Sequence, residues 1–271
     1  MKNKTLKNIT SQRLFLPIFC LALVLLVNII TTPNFFSIEI RDGVLYGYMI
    51  DIINRASELV ILAVGMTLVV SSSAGTDISV GAIMAVSAAV CCNILTGGER
   101  AVTAYANPLI LGFIAALVVG AAIGCFNGFL VSKLNIQPMV ATLIMFTAGR
   151  GIAQLITDGQ ITYVRVDSYR VLGASFPGFP VPTPFIVAVL VVALTSLLLK
   201  KTALGMYIQS VGINKRASQL VGIKSVLIIF LTYAYCGLCS GLAGLIASSR
   251  IYSADANNIG LNMDCLLYTS P

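Results

Sequence analysis

The sequence predicts an all-α fold: a polytopic transmembrane helix bundle of about seven spans. Three observations predict it. Residues 14–38, 59–76, 78–98, 101–132, 171–199 and 225–249 contain no Asp, Glu, Lys or Arg. Each stretch approaches or exceeds the ~18–20 apolar residues that cross a bilayer core as a helix. A charge at the membrane centre costs about 2.5–3.5 kcal/mol on insertion scales, so a span mostly excludes it. The chain is 58% apolar and only 10% charged, with a mean hydropathy of +0.95, which leaves no room for a sizeable soluble domain. Small residues also recur four apart inside the apolar stretches, as Gly120, Gly124 and Gly128 and as Gly237 and Gly241. Such rows let helix backbones approach closely in lipid.

Taken in order, span one is expected over 14–30. It follows a basic leader and precedes no small-residue cleavage site, so it reads as an uncleaved span. An outside segment, 31–51, carries Phe35, Phe36, Tyr46 and Tyr48, which suit a membrane interface. Span two is expected over 56–70 and span three over 80–95, joined by a small, polar, glycine-bearing connector, 71–81. Spans four (108–131), five (138–156) and six (184–199) each open on a proline, where a missing N–H costs least. An outside loop, 157–183, precedes span six, and a cytoplasmic loop, 200–225, precedes span seven (226–248).

The net charge of +7 is explained by the positive-inside rule, without nucleic acid. With the N-terminus in the cytoplasm, the inside segments hold Lys2, Lys4, Lys7, Arg13, Lys133, Lys200, Lys201, Lys215, Arg216 and Lys224. The reverse orientation would translocate the basic leader and the basic loop at 200–224. The chain has no His, which removes the usual zinc ligand, general base and proton relay. Cys236-x-x-Cys239 has redox spacing, but small apolar residues on a buried helix account for it better. No G-x-x-x-x-G-K-[ST] phosphate cradle occurs, so any ATP-driven step needs another chain. No catalytic, cofactor or metal residues are expected.

Polar residues among the apolar spans carry the functional reading. Asp77 sits in a connector too short for a substantial aqueous loop. It belongs either to a broken or re-entrant helix lining a pathway, or to a tight cytoplasmic turn in which it caps Ser79 and Val80. Arg150 lies inside span five, where snorkelling to the outer interface or pairing with Asp158 competes with a place in the bundle interior. Asn127 in span four reads as an interhelical hydrogen bond. In the 200–225 loop, glycine punctuation precedes Asn214, a helix cap, and a short amphipathic helix over 215–221. That helix is either a docking element or a basic loop held by anionic lipid headgroups.

At these residues the chain resembles a known family. Gly65-Met-Thr-Leu-Val-Val, Asp77-Ile-Ser-Val-Gly81, Asn127-Gly-Phe-Leu-Val, Pro138-Met-Val-Ala-Thr-Leu, Gly149-Arg-Gly, and Gly212-Ile-Asn with Ala217 and Gly222-Ile resemble the permease subunits of ribose-type sugar ABC importers. Asp51-Ile-Ile-Asn-Arg-Ala, Lys201-Thr-Ala-Leu-Gly-Met, Val211-Gly-Ile-Asn and Ala254-Asp-Ala-Asn-Asn are most like its galactofuranose branch. The resemblance implies a type II importer-like permease in the bacterial inner membrane, translocating a monosaccharide. It implies a second permease chain, identical or not, a cytoplasmic ATP-binding subunit and a periplasmic sugar-binding protein. It places Asp77, Ser79, Gly81, Asn127 and Arg150 in the translocation-pathway region. It places Gly205, Gly212, Asn214, Arg216, Ala217 and Gly222 at a helix that couples to the ATPase.

Two departures stand out. Before Asp77 the family usually has Gly-Gly-Ile, where this chain has Ala74-Gly75-Thr76. After Asp264 the family pattern stops, so 1–264 reads as a partial permease domain and 265–271 as a non-native tail. The alternatives are a related permease for ribose, xylose or autoinducer-2, and a self-sufficient secondary transporter. The latter needs ion-coupling acids or histidines within the spans. An intramembrane enzyme would need paired catalytic groups at depth, and the spans offer no such pair.

Overall fold

The computed structural model describes residues 15–32, 35–37, 39–41, 44–176, 181–261 and 263. The basic leader with Lys2, Lys4, Lys7 and Arg13 and the expected tail 265–271 lie outside the described residues. The chain order is α1 (Phe15–Thr31), β1 (Glu39–Arg41), β2 (Val44–Tyr46), α2 (Tyr48–Ser73), α3 (Val80–Thr96), β3 (Ala101–Val102), α4 (Leu109–Ser132), α5 (Pro138–Ile156), β4 (Thr162–Val164), α6 (Asp167–Arg170), α7 (Thr183–Lys201), α8 (Leu204–Ile213), α9 (Lys215–Leu220), α10 (Ser225–Ile251) and β5 (Ser253–Ala254). Five helices, α2, α4, α5, α7 and α10, are long and apolar enough to cross a membrane. The other two expected spans, α1 and α3, are apolar helices of 17 residues each. The helical fold class holds, and every described strand is three residues or shorter.

The prolines act as expected. Pro108 immediately precedes α4, Pro138 is the first residue of α5 and Pro184 the second of α7. Two boundaries differ from the sequence reading. Helix α2 starts at Tyr48, well before residue 56, because its charged first turns are sided: Asn54, Ser57 and Glu58 turn inward while Asp51 and Arg55 face out. It also runs through the serines, whose Ser72 and Ser73 hydroxyls donate back to Val69 O at 3.1 and 2.9 Å. The 205–213 stretch, read as glycine-punctuated loop, is instead the helix α8, with Ile208 and Val211 buried.

Helix α10 is the hub. It packs most extensively on α4, then on α2 and α3. The two glycine rows meet: a Cβ on Gly120 would lie 2.7 Å from Gly237 O and 3.0 Å from Gly241 Cα, and one on Gly124 would lie 2.9 Å from Gly237 Cα. These backbones touch because neither helix has a side chain there. Helix α3 is apolar around its whole circumference and nearly all of it is buried, as such a helix must be. Cys91, Cys92, Cys236 and Cys239 are buried free thiols, so the Cys-x-x-Cys spacing belongs to packing.

The bundle has two distinct ends. At one, β4 pairs with β3 in parallel (Ala101 with Tyr163) and with β5 in antiparallel (Thr162 with Ala254). Beside this sheet α6 inserts Tyr169, whose hydroxyl lies 2.7 Å from Ser248 Oγ. Burial pushes that phenol well above the ordinary tyrosine range. At the opposite end lie the end of α2, the α4–α5 turn, α8 and α9.

Candidate functional site

Asp77 is fully buried, and so are Ser79 and Asn127. Asp77 Oδ1 accepts from Ser79 N (2.9 Å) and Ser79 Oγ (2.6 Å), and Asn127 Nδ2 donates to Ser79 Oγ at 2.8 Å. Around this knot, Asp77 N lies 3.4 Å from Met66 Sδ, and Ile78 N donates to Thr142 Oγ1 at 3.2 Å. Met66 is seven residues before the end of α2, Asn127 five before the end of α4 and Thr142 four after the start of α5. At a rise of ~1.5 Å per residue, the knot lies roughly 6–10 Å inside the α9 end. The connector is therefore an irregular segment at depth. A solvent-facing turn does not fit a carboxylate with no exposed surface. The capping half of that reading survives, since Asp77 does hold the Ser79 N–H. Asp77 Oδ2 and Asn127 Oδ1 accept no hydrogen bond among the described residues.

Removing the acceptor tests the knot. Asp77→Ala leaves the Ser79 N–H and O–H buried without partners, at about 1–3 kcal/mol for each. Asp77→Asn retains an acceptor oxygen. Chemical unfolding in detergent is expected to show a loss for Ala at least twice that for Asn. Equal losses would mean that the Ser79 bonds do not hold the connector.

Gly81, in α3, and Arg150, in α5, both meet a second irregular segment, which descends from the sheet end after β5. Gly260, at φ +71°, sits directly on Gly81: an added Cβ there would lie 2.6 Å from Gly81 O. Arg150 NH1 donates to Ala256 O at 3.0 Å and to Ile259 O at 2.6 Å, and Gln154 Nε2 to Asn257 Oδ1 at 2.7 Å. Arg150 thus ties α5 to the 256–259 backbone, and it is partly buried in the bundle rather than extended to an interface. The structure brings Asp77, Ser79 and Asn127 into one hydrogen-bonded group. It places Gly81 where the two irregular segments meet, and Arg150 as the staple of the second.

The α9 end carries the other expected residues. Asn214 caps α9, its Oδ1 accepting from Ala217 N at 3.0 Å, as the sequence predicts. Lys215 Nζ donates to Asn135 Oδ1 (2.7 Å) and Gln219 Nε2 to Ser225 Oγ (2.7 Å), which moors the short helix at both ends. Ala217, Leu220 and Val221 share one outward face, with Leu220 90% and Val221 81% exposed. Arg216 is exposed beside them, Gly222 closes the helix at φ +90°, and Gly205, in the first turn of α8, packs against Leu199 O of α7. Gly212 lies against the end of α2, where any Cβ would run into Ser71 O. A cavity of about 290 Å³ opens here, lined by Ser72, Ala74, Asn135, Pro138, Gly212 and Lys215.

One feature escaped the sequence reading. Glu58 on α2 is 1% exposed and pairs with Arg250 on α10, at 3.0 and 3.3 Å from its two oxygens. The signal was an acid inside an expected span, opposite an arginine at the end of another.

Comparison with known proteins follows the same line. The family described as "Branched-chain amino acid transport system / permease component" matches residues 48–270. The galactofuranose transporter permease protein of Escherichia coli K12 is 45% identical over 249 residues, covering 91% of this chain and 70% of that one. The fructose import permease protein of Bifidobacterium longum is 37% identical over 97% of this chain and 72% of its own. The ribose import permease protein of Escherichia coli K12 is 34% identical over 91% and 73%. No solved structure matches.

Proposed function

This chain belongs to the transport-permease family whose pattern spans residues 48–270, and on that premise we propose that it is the membrane-spanning permease subunit of an ABC importer for a monosaccharide, with galactofuranose the first candidate. The observation that carries the sugar is the 45% identity to a galactofuranose permease across 91% of the chain, supported by the fructose and ribose permeases. The bilayer is the bacterial inner membrane. A cytoplasmic ATPase drives the cycle, a periplasmic sugar-binding protein delivers substrate, and a second permease chain completes the pathway. The α9 end faces the cytoplasm, in keeping with Lys133, Lys200, Lys201, Lys215, Arg216 and Lys224 around it.

The proposed mechanism follows from the two ends. Helix α9 offers the ATPase a compact apolar face, moored rather than free. Movement of that face reaches α2 through Gly212, which rests on the Ser71 backbone. From there it reaches the connector that begins at Ala74 and carries Asp77. Backbone contact without an intervening side chain transmits displacement with little slack. The Asp77–Ser79–Asn127 knot and the Arg150 staple then keep two irregular segments in register beside the pathway.

Proteoliposomes holding the chain with its cognate ATPase and sugar-binding protein are expected to accumulate labelled galactofuranose only with ATP. Accumulation of leucine in its place, or uptake without ATP, would reject the reading. In intact cells expressing a Cys-depleted version of the chain, a single Cys at position 215 should resist an impermeant thiol reagent that labels one at 165. The opposite pattern would invert the orientation.

A further inference from the structure

We infer that the groove between the end of α4 and the start of α10 is a binding site for an anionic phospholipid. The inference rests on the chain lying in a bilayer, whatever solute it carries. The groove holds about 560 Å³ and lies at the α9 end of the bundle. Its wall includes two cations, Lys133 just past α4 and Lys224 just before α10. Phe129, Leu227 and Phe230 supply the apolar part of the same wall.

Three observations set the chemistry of the occupant. First, the cations have no carboxylate to meet. Among the described residues the only acid near the α9 end is Asp77, and it is fully buried in the knot with Ser79. Lys133 lies over the Phe129 ring instead, its Nζ 5.5 Å from the centroid. Second, charge and apolar surface follow one another into the membrane. At a rise of ~1.5 Å per residue, Phe230 lies roughly 9 Å along α10 from Lys224, and Phe129 roughly 6 Å along α4 from Lys133. Phe129 and Leu227 are exposed, so the bundle itself does not cover this wall. Third, Gln219 on the same wall is already spent on Ser225 Oγ, at 2.7 Å. That bond moors α9, so an occupant of the groove lies directly behind the mooring.

A soluble anion would satisfy the lysines and leave the aromatic wall bare. A neutral lipid would cover the wall and leave the lysines without a counter-charge. An acidic segment of a cytoplasmic protein would reach the lysines but not climb to Phe230. An anionic phospholipid does both: its phosphate oxygens accept from the two ammonium groups, and an acyl chain lies along Phe129, Leu227 and Phe230. Basic pockets between transmembrane helices are where anionic headgroups lodge, each lysine adding its own attraction.

The chain has no Trp, so a single Leu227→Trp reports from the groove alone. Leu190→Trp, on the exposed side of α7, reports from bulk lipid. Each is reconstituted in phosphatidylcholine vesicles with a minor fraction of brominated lipid, either phosphatidylglycerol or phosphatidylcholine, and quenching of the fluorescence is followed. At position 227 the relative affinity is expected to favour phosphatidylglycerol about fivefold or more, the scale of one lysine's attraction to an anionic membrane. At position 190 the two lipids should quench equally. Lys133→Gln combined with Lys224→Gln should erase the preference. Lys200→Gln combined with Lys201→Gln removes the same charge from the same end but outside the groove, and should leave the preference intact. Equal affinity for the two lipids at position 227 would overturn the site. Survival of the preference without Lys133 and Lys224, or its loss without Lys200 and Lys201, would do so too. Abolition by inorganic phosphate at constant ionic strength would mark a soluble-anion site and reject the lipid. None of these outcomes bears on ATP-driven sugar uptake, which stands or falls by its own assay.

Discussion

Gly237→Val is expected to prevent the bundle from closing. A Cβ at position 237 would press on Gly120 O and lie 2.7 Å from Gly124 Cα. Overpacking ordinarily costs about 1–3 kcal/mol because side chains can shift rotamers. Here the obstacle is the α4 backbone, so the helices themselves must part. Parting them opens the most extensive helix–helix contact in the molecule. The expected loss is at the upper end of that range or beyond, read as a fall in folded yield and in unfolding midpoint in detergent. Gly151→Ala is the control, since a Cβ there meets nothing within 4 Å. It should be neutral or stabilise by up to about 1 kcal/mol, as Ala does over Gly in a helix. Equal behaviour of the two variants would show that the glycine seam does not hold α4 to α10.

Ala217→Glu is expected to abolish substrate-stimulated ATP hydrolysis by the assembled importer while the chain inserts and folds normally. Ala217 is exposed and shares its face with Leu220 and Val221. Docking that face would bury the new carboxylate without a partner, at a cost of several kcal/mol. Ala217→Ser, which adds no charge, should retain most of the stimulation. Normal stimulation in Ala217→Glu would reject α9 as the coupling element.

Properties that live in local spacing were legible in the sequence. Gly120, Gly124, Gly237 and Gly241 announced a close seam because a four-residue row stays on one helix face whatever the partner. Asn214 announced a cap because the cap bond spans only three residues. The state of Asp77 was not legible, because a surface cap and a buried knot share the same Asp-x-Ser pattern. Met66, Asn127 and Thr142, from three other helices, distinguish them. The role of Arg150 was hidden for a related reason: its acceptors are the carbonyls of Ala256 and Ile259, and backbone oxygens leave no trace in residue identity. Helix α8 is hidden in the sequence because Gly205 and Gly212 look like punctuation. At Gly212 the missing side chain instead admits Ser71 O.

The Glu58–Arg250 pair also imposes a schedule on biosynthesis. Its members are 192 residues apart in the chain. At about 5–20 residues per second, the ribosome delivers the arginine roughly 10–40 s after the glutamate. During that interval the nascent second helix carries an acid destined for the interior, with only the exposed Arg55 one turn away. The membrane-insertion machinery must therefore hold that helix near its lateral exit, or let it rest shallow in the bilayer, until α10 arrives. A translational pause placed between codons 58 and 250 would lengthen this exposure, and one placed after 250 would not.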